Sequence, residues 1–268
     1  MSTTKDISTI YNISKIEAKE LLEAEGCLDF LKHGIDQELS PEWDDLARIY
    51  FLVRKRKPFK VLEFGSGFST LIIAYALKKN WNEYLKGLSD NEKPVRNYEK
   101  PHLVALESSE KWQKNTLKKL STVNLSDYAS INFSDVEIAE YKGQICHYYK
   151  NLPDIVPDFV YLDGPDPATV QGDINGLSFN NPLRTVMSAD ILKYESTLLP
   201  GFFMIVDGRT NNCRFLERNF QRKYKYNYYK YADVSTFELN EDRLGRKNVF
   251  GWEAYSDKPV YFANRKIS

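Results

Sequence analysis

The residues whose types and spacing carry the most chemistry are Val61-Leu62-Glu63-Phe64-Gly65-Ser66-Gly67-Phe68-Ser69-Thr70. They read as a buried strand with an acid near its end, a glycine turn and a helix start. Gly65 and Gly67 carry no side chain to keep a ligand off the backbone, and the amides that open the helix from Ser69 onward offer donors to a polar or anionic group. This is the outline of a pocket for a nucleotide-like ligand. A dinucleotide fingerprint would place a third glycine where Thr70 stands, so a pyrophosphate cradle is disfavoured.

Open α/β sheets bind ligands beyond the carboxyl ends of their strands, which makes the residues that terminate each apolar run the informative ones. Here they are acids: Glu63, Glu107 after His102-Leu103-Val104-Ala105-Leu106, Asp135 after the third run, Asp163 after Phe159-Val160-Tyr161-Leu162, and Asp207 after Phe202-Phe203-Met204-Ile205-Val206. Unpaired charge is too costly to bury for five such residues to belong to a core. They are expected to face a ligand. His147, beside Tyr148 and Tyr149, is a further candidate, as a general base.

These residues need elements to hold them. Apolar runs at 60–64, 102–106, 129–133, 158–162 and 202–206 alternate with amphipathic segments at 69–79, 109–120 and 189–198, which predicts a doubly wound, mostly parallel sheet flanked by helices. Two later aromatic stretches, 223–231 and 248–255, read as antiparallel edge strands. Ser14-Lys15-Ile16-Glu17 has capping-box spacing, and Ser40-Pro41 opens a segment with Trp43, Leu46, Ala47, Tyr50 and Val53 on one helical face. Residues 1–57 are therefore expected to form a helical extension on a domain spanning 58–268. Segments 80–100 and 166–185 break the rhythm, the first as a charged loop and the second as a substrate lid or insert.

At this point the chain resembles the class I S-adenosylmethionine-dependent methyltransferases over roughly residues 59–210. The resemblance rests on Glu63-Phe64-Gly65-Ser66-Gly67, the acidic end of the second strand, Leu162-Asp163-Gly164-Pro165 and Leu199-Pro200-Gly201. It implies that Glu63, Gly65, Gly67 and Ser69 line the amino-acid part of the cofactor. It also implies that Glu107, with Ser108 beside it, takes the ribose hydroxyls, and that Asp135 and Val136 meet the adenine, with Asp163 as a further cofactor neighbour. A carboxylate accepts two hydroxyl protons, and acidic walls favour a sulfonium cation. One departure is that Glu107 lies 107 − 63 = 44 positions beyond Glu63, against about 20 in the dinucleotide pattern; an insert at 80–100 would account for it. An activated methyl group needs an aligned nucleophile and, for a hydroxyl, removal of its proton. Asp163 and Asp207 are the candidates for that step. They are also the candidate ligands for a divalent cation, as in the metal-dependent O-methyltransferases that the spacing resembles, although Gly208 follows Asp207 and the nearest amides are Asn211 and Asn212. Arg209 could instead pair with Asp207 or hold an anionic substrate.

The whole chain sets the bounds. Its 268 residues suit one large α/β domain, and Lys+Arg and Asp+Glu both total 37, so no global field draws it to nucleic acid or an anionic membrane. The alternation in 223–231 fits a strand with tyrosines on one face better than a nucleic-acid surface. Cys27, Cys146 and Cys213 lack metal or disulfide spacing and read as reduced thiols, which with the polar start Met1-Ser2-Thr3 gives cytoplasm as the expected compartment. The expected activity is methylation, at oxygen, of a small molecule or glycan, without nucleic-acid or membrane partners. A nicotinamide-dependent oxidoreductase and a non-catalytic cofactor-binding module are the alternatives.

Overall fold

The computed structural model describes residues 7–32, 40–86, 100–242, 244–245, 260–262 and 265–267. After a 3-10 turn at Ile7–Asn12, helix α1 (Lys15–Ala24) starts where the Ser14 hydroxyl accepts the amide of Glu17, and it stops at Gly26, whose φ of 76° suits glycine. A short α2 (Leu28–Lys32) precedes α3 (Trp43–Arg56). In α3, Asp44 and Asp45 sit in the first turn and Arg54, Lys55 and Arg56 in the last, matching the helix dipole at both ends. Then come β1 (Lys60–Phe64), α4 (Phe68–Leu85), β2 (His102–Glu107), α5 (Glu110–Thr122) and β3 (Ala129–Phe133).

A hairpin of β4 (Val136–Tyr141) and β5 (Gln144–Tyr149) follows, turned by Lys142 and Gly143, both at positive φ as a tight two-residue turn requires. The remaining elements are β6 (Phe159–Leu162), β7 (Val170–Gln171), α6 (Asp190–Tyr194), β8 (Phe203–Asp207), α7 (Thr210–Asn219), β9 (Tyr224–Tyr229) and β10 (Val234–Leu239). A separate antiparallel pair joins Val260–Phe262 to Arg265–Ile267.

The main sheet runs β3-β2-β1-β6-β8-β10-β9. Its first five strands are parallel, and β10 lies antiparallel between β8 and β9. The doubly wound, mostly parallel sheet is thus the one expected from the alternation of runs. Chain order reverses between β1 and β6, so the crevice above those two strands is the topological switch point. The hairpin and β7 form a second small sheet, β5-β4-β7.

Alternation along the strands fixes which residues face which layer. Val61, Phe159, Tyr161, Phe203 and Ile205 join α1, α3 and α4 in one core, while Leu62, Phe64, Val160, Leu162, Met204 and Val206 pack against the hairpin, α6 and α7 in the other. Ile10, Tyr11, Leu22 and Leu31 share the first core with Val61 and Leu71, so the N-terminal helices are docked on the sheet. By the same two-residue period, Glu63 and Asp207 point to the α3 and α4 side.

Three expectations are corrected. Residues 80–85 are the last turns of α4 and not loop, because their polar groups bond across to α3: Asn80 Nδ2 donates to the Val53 carbonyl at 3.0 Å, and Arg54 holds Asn80 and Glu83. The helix expected over 189–198 is one short α-helix ending in a 3-10 turn, Glu195–Thr197. The β4/β5 hairpin and β10 were not foreseen as strands. Segment 248–255 lies outside the described residues, as does 87–99 of the expected insert. Among the described residues no helix is long and apolar enough to cross a membrane.

Candidate functional site

The ends of β1 and β6 pinch together above the sheet. Gly164 N donates to the Phe64 carbonyl at 2.5 Å, and Gly65 N donates to Leu106 O at 2.8 Å. A Cβ on Gly164 would stand 2.6 Å from Gly65 N and 2.7 Å from its Cα, so only glycine fits there. Gly65 itself has a φ of 106°, a left-handed value that L side chains rarely adopt. Gly67 differs from both, since a Cβ there would meet nothing within 4 Å. The turn is therefore held rigidly at 65 and opens onto free space at 67.

Glu63 points from β1 into the first turn of α4 and is 1% exposed. Thr70 Oγ1 donates to its Oε2 at 2.8 Å, Ser69 Oγ donates to its Oε1, and Thr70 Oγ1 accepts from Gly67 N at 2.9 Å. The residue that breaks the dinucleotide pattern thus has work of its own: it bridges the acid to the turn. Burial raises the pKa of Glu63 to about 8, opposed by the Ser69 and Thr70 hydroxyls and reinforced by Asp163 and Glu107. Among the described residues no cation pairs with it.

Glu107, 7% exposed, closes β2 beside it. Its two oxygens each accept one bond, from Ser66 Oγ at 2.7 Å and from Ser109 N at 2.9 Å. Each carboxylate oxygen has two lone-pair directions, so acceptor capacity remains for a ligand's hydroxyls. Ser108 Oγ lies 2.9 Å from Thr169 Oγ1, tying the end of β2 to the 166–185 segment. Asp135, after β3, is half-exposed; Lys150 stands 3.8 Å away and Gln171 Nε2 donates to it at 3.3 Å. Val136 begins β4 and is fully buried.

Asp163 and Asp207 flank the other side of the switch point. Asp207 Oδ2 accepts from Tyr161 OH at 2.9 Å. Burial raises its pKa to about 7, helped by Asp45 and Asp163 and opposed by Tyr161 and Arg48. Asp163 shows its side chain to solvent, yet protein crowds it closely elsewhere. That crowding raises its pKa to about 6 against the pull of Arg209, with water screening part of the effect. Asp45 comes from the first turn of α3, which runs antiparallel to β1 and so ends at this rim; its carboxyl is itself bonded by Arg48.

Among the described residues no group of three or more His, Cys, Asp or Glu side chains is placed to hold an ion. Of the neighbouring amides, Asn212 is engaged through both atoms, accepting from Ser188 N at 2.8 Å and donating to Ser188 O at 2.9 Å, while Asn211 donates from Nδ2 to Thr185 Oγ1 at 3.4 Å.

His147, on β5, is fully buried. Burial, with Arg209 nearby, pushes its pKa down to about 3, so the ring is neutral. Phe179 from the 166–185 segment meets it edge-on at 5.9 Å. Arg209 donates through one terminal nitrogen to the carbonyls of Asp163 and Pro165. The structure therefore gathers Glu63, Gly65, Gly67, Ser69 and Glu107 around one turn, with Asp163 and Asp207 across the crevice. From sequence Thr70 was read only as the break in the dinucleotide pattern and Tyr149 only as a neighbour of His147, and Ser66, Asp45 and Tyr161 were given no role. Of these, Ser66 and Thr70 carried a signal, by lying within the glycine motif.

No family model and no curated protein matches the chain. Solved structures of similar shape include an S-adenosylhomocysteine-bound methyltransferase from Podospora anserina, with 12% identity over 76% of this chain and 80% of that one and a TM-score of 0.44. The O-methyltransferase TomG from Streptomyces achromogenes, involved in tomaymycin synthesis and crystallised with S-adenosylmethionine, has 13% identity over 76% and 83%, with a TM-score of 0.43. An O-methyltransferase from Bacillus cereus, in complex with S-adenosylhomocysteine, has 17% identity over 89% and 93%, with a TM-score of 0.40. At these identities and scores the similarity assigns no chemistry to this chain.

Proposed function

We propose that the chain is a methyltransferase that uses S-adenosylmethionine to methylate a small-molecule or glycan acceptor at oxygen. The observation that carries the reading is Glu63: a carboxyl buried beside a glycine turn, held by two hydroxyls, with no paired cation among the described residues and open space at Gly67. Such a group favours a cationic ligand, whose charge would offset the desolvation of the carboxylate. S-adenosylmethionine, when bound, supplies a methyl group already activated on a sulfonium.

The protein's residues do the rest. Glu63 with Gly65, Gly67 and Ser69 would hold the cationic amino-acid end, Glu107 and Ser108 the ribose, and Asp135 and Val136 would border the adenine. Asp163 or Asp207, as the carboxylate, takes the proton of the acceptor hydroxyl while the crevice holds that oxygen in line. Residues 1–57 act as a helical extension that brings Asp45 to the rim, and 58–268 as the cofactor domain. Cytoplasm is the compartment this reading assigns. A nicotinamide dinucleotide is disfavoured by Thr70 and by the antiparallel β10 in the place where the dinucleotide fold continues in parallel. Incubation with methyl-labelled cofactor and a panel of hydroxylated metabolites and sugars tests the activity. Label in product supports it, and a protein that binds the cofactor without labelling any member is the non-catalytic module.

A further inference from the structure

Four buried polar atoms near the crevice have no hydrogen-bond partner among the described residues: both ring nitrogens of His147, the hydroxyl of Tyr149 and Nε of Arg209. His147 and Tyr149 are two apart on β5 and so share a face of that strand. They are 0% and 1% exposed. Arg209 immediately precedes α7, whose Asn212 holds Ser188 N and O, and Ser188 is bridged to His147 of β5, so the start of α7 lies beside this strand. The Arg209 guanidinium has no carboxylate within ion-pair distance among the described residues, and its bonds go to the carbonyls of Asp163 and Pro165. These are two independent signs of a missing ligand: a guanidinium without a counter-ion, and an imidazole and a phenol wholly desolvated without partners. Native proteins rarely leave such groups unmet, and where they do a ligand or an ordered water usually explains it.

The chemistry of the gap narrows the ligand. The cluster offers an N–H from Arg209, an O–H from Tyr149 and an N–H from one side of a neutral imidazole, with one positive charge in all. Donors in excess with a single positive charge suit a singly charged anion with two acceptor oxygens. Arg209 also ties the cluster to the reaction side, because the carbonyl it holds belongs to Asp163.

We infer that Arg209, His147 and Tyr149 form an anion subsite within the acceptor pocket, and that the acceptor is a carboxylic acid that also bears the hydroxyl to be methylated. The inference rests on the methyl-transfer reading for the second half of that statement and on the orphaned atoms alone for the first. Phe179 of the 166–185 segment packs edge-on against the His147 ring, on one side of the cluster. His147 here positions the acceptor and does not take its proton.

Thermal unfolding of the full chain, with and without S-adenosylhomocysteine, tests this with two matched pairs of probes. Methyl glucuronoside is set against methyl glucoside, and salicylate against salicylamide, so that a sugar acid and an aromatic hydroxy acid are told apart. At least one acid should raise the melting temperature by roughly 2 °C or more at millimolar concentration while its neutral partner does not. Arg209→Met and Tyr149→Phe should abolish that shift. Tyr149→Phe should itself melt no lower than the parent, since it removes only an unpartnered hydroxyl, and it keeps the test open if Arg209→Met does not fold. No shift with either acid, an equal shift with the neutral partner, or a shift that survives both substitutions overturns the inference. Titration with S-adenosylhomocysteine is read separately. Cofactor binding without an acid-selective shift contradicts the subsite alone, and an acid-selective shift without cofactor binding contradicts the methyltransferase reading alone.

Discussion

Ser66 donates its hydroxyl to Glu107 across 2.7 Å, joining the glycine turn after β1 to the end of β2. The two residues are 41 positions apart in sequence, and the bond presets the carboxylate against the turn before any ligand arrives. Glu107 keeps acceptor capacity for a ligand's hydroxyls. Glu107→Gln is therefore expected to lower affinity for S-adenosylhomocysteine by roughly tenfold to a hundredfold, and Ser66→Ala by only a few-fold, with the fold retained. Equal affinities of parent and Glu107→Gln in a fluorescence titration would remove the ribose assignment.

The pair Gly164 and Gly67 separates architecture from binding. A methyl at 164 would press on the backbone of Gly65, so Gly164→Ala is expected to cost about 3 kcal/mol of stability. Gly67 has an extended φ of 167° and free space around its Cβ position, so Gly67→Ala should unfold like the parent while binding the cofactor several-fold less tightly. Chemical denaturation reads the first effect and ligand titration the second. If Gly67→Ala bound normally, the space beside it would not be the cofactor's.

Glu63 makes the free protein sensitive to pH. Its folded pKa of about 8 lies above the value of 4.5 for an exposed glutamate. Between the two the folded state keeps a proton that the unfolded chain has released, so stability falls as pH rises through this window and the loss is complete above the folded pKa. Asp163, Asp190 and Asp207, raised to about 6, 7 and 7, act in the same direction. The informative quantity is thus the difference between parent and Glu63→Gln: near zero at about pH 5 and in favour of the variant by at most a few kcal/mol at about pH 9. S-adenosylmethionine affinity should rise with pH in the parent and stay flat and weaker in the variant. A parent whose melting temperature relative to the variant did not change with pH would contradict this picture of the site.

Proton removal from the acceptor requires Asp163 or Asp207 as the carboxylate. Transfer should increase with pH as groups of pKa about 6 and 7 ionise. Asp207→Asn should lower kcat by about a hundredfold if Asp207 is the base. Tyr161→Phe removes a hydrogen bond that holds the Asp207 pKa down, so it should move the rising limb of the profile to higher pH. Chelators should leave the rate unchanged, since among the described residues no third His, Cys, Asp or Glu joins Asp163 and Asp207. Loss of activity in EDTA with recovery on adding a divalent ion would contradict that part.

The β1–turn–α4 unit and the strand-end acids were legible because their signals are local: apolar runs, glycine spacing and terminal acids. Asn80 and Glu83 misled because polarity reads as loop, whereas here it serves contacts with α3. The β4/β5 hairpin carried a turn signal in Lys142-Gly143, but its half-exposed strands lack the continuous apolar character of a buried parallel strand. Asp45 reaches the rim only because α3 runs antiparallel to β1, a tertiary fact with no local trace. The same holds for the unpartnered groups on His147, Tyr149 and Arg209, since a missing partner is a property of the packed chain.

Isothermal titration of the full chain with S-adenosylmethionine, and in parallel with NAD, reads directly whether the glycine turn and Glu63 form a site for the sulfonium cofactor. Saturable one-site binding of S-adenosylmethionine is expected, with no heat from NAD and marked weakening of the first in Glu63→Gln. No heat with S-adenosylmethionine, or binding of NAD in its place, would contradict it.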